Sequence, residues 1–232
     1  MTSKRVLLKL SGESFSDNFS SISENSLLRI TEEVKSVVDK GNVQLAIVIG
    51  AGNIWRSGGK FIERVTADKM GMLATVMNSL ALNDSLVKAG VNSVVFSANG
   101  VSDFVEKFNR EKSVRYLEKG YAVVFAGGTG NPFFTTDTAS ALRAAEIKAD
   151  VLLKATQIDG VYNADPKKDK NAVKYDVLTF KEALDKRLEV MDAEAFSLCM
   201  HAGISITVFD FYKDGNLQKV LNGEKIGTRV EA

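Results

Sequence analysis

A chain of 232 residues with 45% hydrophobic and 25% charged residues is long enough to bury a real core, and its composition is that of an ordinary globular protein. The net charge of +1 gives no electrostatic case for nucleic acid or a membrane surface, and no apolar run approaches the roughly 18 residues of a membrane span. One cysteine and one histidine exclude an intrachain disulfide, a cysteine-rich zinc site and a histidine metal site. Met1 to Arg5 runs straight into Val6-Leu7-Leu8-Lys9-Leu10, which reads as a strand and is too short for a signal-peptide core. The default expectation is a cytosolic protein. Ile22 to Lys40 has Leu27, Leu28, Ile30, Val34, Val37 and Val38 at helical spacing, closed by Gly41. Leu45 to Ile49 reads as a buried strand, and Thr66 to Ala89 as a long helix ended by Gly90. Val94 to Phe96, Tyr121 to Ala126 and Val151 to Leu153 read as further strands, with a helix expected over Val101 to Lys119 and another over Thr138 to Ile147. Asp159 to Lys174 reads as turn, short strand, turn and a charged stretch. It is either a solvated surface excursion or an exposed lobe that clasps a ligand. Ala193 to His201 reads as helix and Ile204 to Phe209 as strand. His201 falls at a helix end, where capping of carbonyls is expected, and Cys199 sits in an apolar run that suits a packed core thiol better than a nucleophile.

Continuous apolar strands separated by helices predict a three-layer αβα sandwich with a mainly parallel central sheet. With two prolines and no low-complexity linker or repeat, residues 1–232 read as a single domain. In such a sheet the C-terminal strand ends share one edge, where ligands bind. Three of those ends carry polar or glycine-rich sequence: Lys9-Leu10-Ser11-Gly12-Glu13, Gly50-Ala51-Gly52-Asn53-Ile54-Trp55-Arg56-Ser57-Gly58-Gly59, and Gly127-Gly128-Thr129-Gly130-Asn131-Pro132-Phe133-Phe134-Thr135-Thr136-Asp137. The last joins a strand to a helix N-terminus, whose unpaired N–H groups suit an anion. The plainer reading is a tight turn with Asp137 as N-cap. Lys9 within a strand either snorkels to solvent or points inward, which needs an anionic partner. The P-loop signature is absent, the protein-kinase H-R-D and D-F-G signatures are absent, and the dinucleotide fingerprint fails at Trp55.

These residues resemble the bacterial uridylate (UMP) kinases within the amino acid kinase superfamily, over nearly the whole chain. The resemblance is carried by Val48-Ile49-Gly50-x-Gly52-Asn53-x-x-Arg56, Asp68-x-Met70-Gly71-Met72-Leu73-Ala74-Thr75, Gly128 to Asp137, Leu153-Lys154-Ala155-Thr156-x-x-Asp159-Gly160-Val161, Ala164-Asp165-Pro166, Val190-Met191-Asp192 and Gly223-Glu224-Lys225-x-Gly227-Thr228. It implies the amino acid kinase fold and the reaction ATP + UMP → ADP + UDP in pyrimidine nucleotide and CTP biosynthesis. By that resemblance Lys9, Leu10, Ser11 and Gly12 match the first ATP phosphate loop. Gly52 and Arg56 match a loop between donor and acceptor. Thr156, Tyr162 and Asp165 match adenosine-binding positions. Ala51, Asp68, Thr129, Gly130, Asn131, Pro132, Phe133, Phe134, Thr135 and Thr136 match the UMP site. Lys9, Arg56, Asp137 and Lys154 match charged positions at the reacting phosphates. No protein-held metal is implied, only Mg²⁺ brought with ATP. UTP is implied as an inhibitor and a homohexamer as the assembly. The resemblance also leaves two departures. Ala51 stands where the family usually has glycine, which threatens strain if that residue needs φ > 0. The Ser14 to Ser21 segment is short, which predicts weak activation by GTP. Other kinases of the superfamily (carbamate or amino acid acceptors), and a non-catalytic nucleotide- or oxyanion-binding protein on the same fold, are the alternatives. The helix from Met70 to Val87 is apolar over more than one stripe, so part of it either faces a partner subunit or packs within its own domain.

Overall fold

A computed structural model describes residues 3–56, 61–101, 104–188 and 190–232. Met1, Thr2, Ser57 to Lys60 at the end of the second glycine loop, Ser102 and Asp103 of the helix expected over Val101 to Lys119, and Glu189 lie outside the described residues. The chain forms β1 (Lys4–Leu10), a 3-10 turn (Gly12–Phe15), α1 (Glu24–Val38), β2 (Val43–Ile49), α2 (Arg64–Lys88), β3 (Ser93–Ser97), β4 (Glu106–Lys107), α3 (Arg110–Glu118), β5 (Ala122–Ala126) and α4 (Thr136–Glu146). It continues with β6 (Val151–Thr156), β7 (Val161–Tyr162), β8 (Lys174–Tyr175), β9 (Val177–Thr179), α5 (Phe180–Asp185), α6 (Ala193–Ala202), β10 (Ser205–Asp210), α7 (Asn216–Leu221) and β11 (Thr228–Glu231). Nine strands make one sheet in the order β4-β3-β5-β2-β1-β6-β10-β11-β9, and β7 and β8 form a separate hairpin. Pairing in the large sheet is parallel except where β11 returns antiparallel along β10.

Two-residue alternation builds the three layers. Along β1, Val6, Leu8 and Leu10 face a core shared with α1, α2 and α7, through residues such as Ile30, Leu82 and Leu217. Leu7 faces the opposite core, shared with Ala141 and Ala144 of α4 and Phe196 of α6. Both faces of the central strands are therefore covered, which is why they read as unbroken apolar runs.

One expected element is corrected. Among the described residues the helix does not reach back to Val101. Val101 and Val105 form a β-bridge, Glu106–Lys107 pairs with the edge of β3, and only Arg110–Glu118 is helix. The helix begins where Asn109 caps the Lys112 N–H at 2.8 Å, while Phe108 donates its N–H to Ser97 at 2.8 Å. The four-residue spacing of Val101 and Val105 mimics a helix turn. Here the two residues are bridge partners, and Val105 is buried. The short elements β9, α5, α7 and β11 are additions that periodicity did not reveal.

Candidate active site

The centre of the site follows from strand register. β1 and β6 are adjacent and parallel, with Leu7 opposite Leu152 and Lys9 opposite Lys154. Two residues past the apolar pair, at the C-terminal end of the sheet, the same face presents two ammonium groups. Asp137, in the first turn of α4, lies between them. Lys9 Nζ forms an ion pair with Oδ1 at 2.8 Å, and Lys154 Nζ with Oδ2 at 2.8 Å. Lys154 also donates to the Val190 carbonyl at 2.8 Å. The side chains of Lys9, Asp137 and Lys154 are 12%, 14% and 18% exposed. Lys9 therefore points inward, and the anion it needs is supplied by the protein itself. Burial alone raises the Asp137 carboxyl, but the charges of Lys9 and Lys154 outweigh it and hold the group below the usual carboxylate value. Asp137 is ionised and committed to two cations, so it is placed to aim lysines and not to take up a proton. The N-cap of α4 is Thr135, whose hydroxyl accepts from the N–H groups of Asp137 at 3.0 Å and Thr138 at 3.3 Å. The expectation of Asp137 as cap is thereby corrected.

The first two loops interlock. A Cβ on Gly12 would lie 2.5 Å from Asn53 Oδ1, 2.6 Å from Gly52 N and 2.8 Å from Gly50 O. This close approach, loop against loop, requires glycine whatever the loop binds. Asn78, fully buried in α2, fastens the arrangement by donating to Gly50 O and Asn53 Oδ1, each at 2.8 Å. Arg56 pairs with Glu13 of the first loop and donates Nε–H to Gly52 O at 3.2 Å. Its side chain is 70% exposed. Ala51 is not among the residues with positive φ, so its methyl carries no left-handed strain.

On the α2 side of these loops lies a cavity of about 330 Å³. Ala51, Gly52, Arg56, Asp68, Thr129, Asn131, Phe134, Thr135 and Thr136 line it, while Gly130, Pro132 and Phe133 stand outside the lining. The Phe133 ring lies instead against the Arg64 guanidinium, 5.9 Å away. Phe133 has φ 72, and its N–H donates to Asp68 Oδ2 at 2.8 Å. Asp68, 9% exposed, also accepts from Arg64 Nε at 2.9 and 2.8 Å. Thr75 accepts from Gly127 N–H at 2.8 Å. Helix α2 thus holds the third loop at Gly127 and Phe133 from one polar stripe.

On the far side of the two lysines run two further cavities. One of about 290 Å³ is lined by Lys9, Ser11, Lys154 and Thr156 among others. One of about 570 Å³ is lined by Lys154, Thr156, Tyr162, Asp165, Leu188 and Val190 among others. They share Lys154 and Thr156, so they form one run along the sheet edge. Leu10 is fully buried in the core, and only its backbone reaches this edge, with its carbonyl accepting from Gly50 N–H at 2.9 Å. Tyr162 donates to Asp159 at 2.6 Å, a bond that holds the Asp159 carboxyl below its ordinary value and raises the phenol.

Several residues in this arrangement were not singled out individually by the sequence reading. Glu13, Arg64 and Asp192 make ion pairs or hydrogen bonds to the assigned groups. Asp192 caps α6 through the Ala195 N–H at 2.7 Å and accepts the hydroxyls of Thr135 and of Thr138, the latter at 3.1 Å. It therefore ties the N-termini of α4 and α6 together. Glu13 and Asp192 lay in plain view within quoted motifs, but nothing local says which partner a carboxylate will find. His201 does not cap carbonyls; its ring nitrogen pairs with Ser197 Oγ at 3.3 Å, and the helix ends on Gly203 at φ 67. Cys199 is fully buried, and that burial pushes its thiol up to about 12. Among the described residues no group of three or more His, Cys, Asp and Glu is placed to hold a metal ion, and no helix is long and apolar enough to cross a membrane.

The arrangement can hold one anionic group on each side of a pair of fixed cations. Comparison with known proteins gives it a lineage. The chain is similar to a crystal structure of UMP kinase from Ureaplasma parvum, with 35% identity, 100% of both chains covered and a TM-score of 0.95. It is similar to the UMP kinase of Bacillus anthracis at 36% identity, covering 100% of this chain and 97% of that one, with a TM-score of 0.95. Uridylate kinase from Archaeoglobus fulgidus is more distant, with 28% identity, 97% and 99% coverage and a TM-score of 0.71. The model of the amino acid kinase family matches residues 4–210, and the chain belongs to that family.

Proposed function

We propose that the chain is a UMP kinase, transferring the terminal phosphoryl group of ATP to UMP. One observation carries the reading: Lys9 and Lys154, pinned by Asp137, line the cavity run on one side, and Thr135 and Thr136, directly before Asp137, line a separate cavity. The run along Thr156, Tyr162 and Asp165 takes ATP, with the phosphates over Lys9, Ser11 and Gly12. The cavity lined by Ala51, Asp68 and Thr129 to Thr136 takes UMP. Gly52 and Arg56 are assigned to the place where the ATP phosphates meet the single phosphate of UMP. The full-length likeness to UMP kinases supports the activity.

The acceptor is already a phosphate anion, so no strong general base is needed. Positioning and charge neutralisation dominate such transfers. The lysines act as cations fixed in advance, and Asp137 stops them from following the substrate. Arg56 must leave Glu13 to join them, an exchange favoured because a phosphate offers more charge than a carboxylate. The carboxylates at the centre, Asp137 and Glu13, are already paired with cations. They do not suit a resident metal, and Mg²⁺ enters as part of the ATP substrate. Leu73 and Met77 are 58% and 53% exposed on the outer side of α2, and we assign that face to contact between copies in a homohexamer, a mass that light scattering reads directly.

The test is release of ADP with UMP, CMP and dCMP as acceptors. UMP is expected to exceed the cytosine nucleotides in kcat/KM by at least 10²-fold, because a site built to bond one polar edge leaves groups unpaired with the other. Comparable values for UMP and CMP overturn the assignment. Release with carbamate or an amino acid instead would favour another kinase of the family.

A further inference from the structure

The hairpin of β7 and β8 presents Tyr162, Asn163 and Asp165 to the 570 Å³ cavity. Its strands are two residues long, and they join no other strand of the main sheet. So short a ribbon cannot fix its own position in water. Something outside it must do so. The chain's last motif, Gly227-Thr228, sits at that junction.

Thr228 opens β11, opposite Val208 of β10, and is fully buried. Its hydroxyl accepts the Val161 N–H at 2.7 Å and donates to the Tyr175 carbonyl. Val161 and Tyr175 are the paired residues of the hairpin. One hydroxyl, with both donor and acceptor capacity, thus fastens both strands of the lobe to the edge of the main sheet. Closeness is built in from both sides. A Cβ on Gly160 would lie 2.6 Å from Thr228 Oγ1, and a Cβ on Gly227, at φ 83, would lie 2.2 Å from Val208 O. Arg229 N–H adds a bond to Asp176 O at 2.9 Å, directly after the hairpin. Thr228 itself does not line the cavity.

We propose that Thr228 is a positioning residue for the phosphate donor: its hydroxyl sets where the β7–β8 lobe stands over the nucleotide. The role rests on the assignment of that cavity to ATP. Replacing threonine by valine keeps the shape but leaves the Val161 N–H and the Tyr175 carbonyl without their partner. The lobe then loses its polar anchor and keeps the apolar packing of Val161 and Tyr175, while the UMP cavity keeps all of its bonds.

The experiment compares wild type, Thr228→Val, Thr228→Ser and Asp165→Ala. It measures KM for ATP and for UMP, kcat, and circular dichroism on heating. For Thr228→Val the KM for ATP is expected to rise at least five-fold with the KM for UMP within two-fold, and Thr228→Ser to stay within two-fold of wild type for both. Equal rises in the two KM values, or no change in either, overturn the proposal; so does a serine variant as impaired as the valine one. Asp165→Ala probes the cavity itself. If it leaves the KM for ATP unchanged, the cavity assignment falls and the proposal with it. If it raises that KM while Thr228→Val does not, the cavity stands and the role of Thr228 falls. A reading on the unaltered protein covers a valine variant that fails to fold. Amide exchange at Val161 is expected to be slow in wild type and faster with exchange-competent opening of the hairpin in Thr228→Ser by no more than two-fold; rapid exchange at Val161 in wild type overturns the proposal.

Discussion

A lysine at the end of a buried strand is costly unless an anion meets it, and Asp137 meets two of them. Removing the carboxylate leaves two partly buried ammonium groups facing each other without a counter-ion, a change of roughly 3–5 kcal/mol by analogy with broken buried pairs. Asp137→Asn is therefore expected to lower stability strongly at neutral pH. Because the folded protein holds the Asp137 pKa below its unfolded value of about 3.9, the contribution is fully present above that value. It is lost as pH falls through the folded pKa. Urea unfolding of wild type and Asp137→Asn should show a constant gap between pH 6 and 8 that closes below about pH 4. A gap that widens toward acid contradicts the assignment. In the proposed reaction the cations act on the transferring group. Lys9→Ala and Arg56→Ala should each lower kcat about 10²-fold or more with unchanged circular dichroism, since each removes a charge aimed at the transferring phosphate. Folding is expected to tolerate the loss of Arg56 better, because it is largely exposed and among the described residues is tethered to Glu13 and Gly52.

Helix α2 shows how one element organises a site it does not dominate. Its buried polar residues Asp68, Thr75, Asn78 and Ser79 recur at helical spacing and face the loops. Asn78 fastens the second loop, Thr75 the third loop at Gly127, and Asp68 the third loop at Phe133. The opposite stripe, with Leu73 and Met77, faces outward. Because these polar residues share the buried side of α2 with Ala74, Val76, Leu82 and Leu86 while Leu73 and Met77 are exposed, the sequence shows no single core stripe. At this scale Asp68→Asn is expected to raise the KM for UMP several-fold with little change in the KM for ATP. The amide weakens the charge-assisted bonds that Asp68 makes to Arg64 and to the Phe133 N–H, and the loop proposed to bind UMP loses that hold. A fall in kcat with both KM values intact would place Asp68 at the reacting phosphates instead.

At the scale of the whole molecule, control by nucleotides depends on sites as much as on catalysis. Residues 14–21 form no helix or strand beyond the 3-10 turn that ends at Phe15, and they offer little chain for a second nucleotide site. Activation by GTP is expected to be weak or absent. Inhibition by UTP is expected, because UTP shares uracil and ribose with UMP and can compete in the same cavity, whereas allostery needs a distinct site and a differential affinity. Initial rates titrated with GTP at sub-saturating UMP, and with UTP at several UMP concentrations, check both. A several-fold rise with GTP that donor activity does not explain overturns the first; an unchanged apparent KM for UMP with UTP overturns the second.

The sequence by itself determined the alternation of buried strands and helices, and hence a mainly parallel layered sheet, because continuous apolar runs have no other way to be covered on both faces. It also marked the three loops at one sheet edge, since glycines and hydroxyl residues at strand ends are a local signal. The resemblance of those loops to a kinase family supplied roles that spacing alone did not. Tertiary structure decided the pairings. Lys9 and Lys154 are 145 positions apart in sequence and become neighbours only through the β1–β6 register, with Asp137 delivered by α4. Likewise Glu13 finds Arg56, and Thr228 finds Val161 and Tyr175, across long sequence separations. A charge or hydroxyl names no partner along the chain, because which groups meet is fixed by strand order and by the packing that buries them.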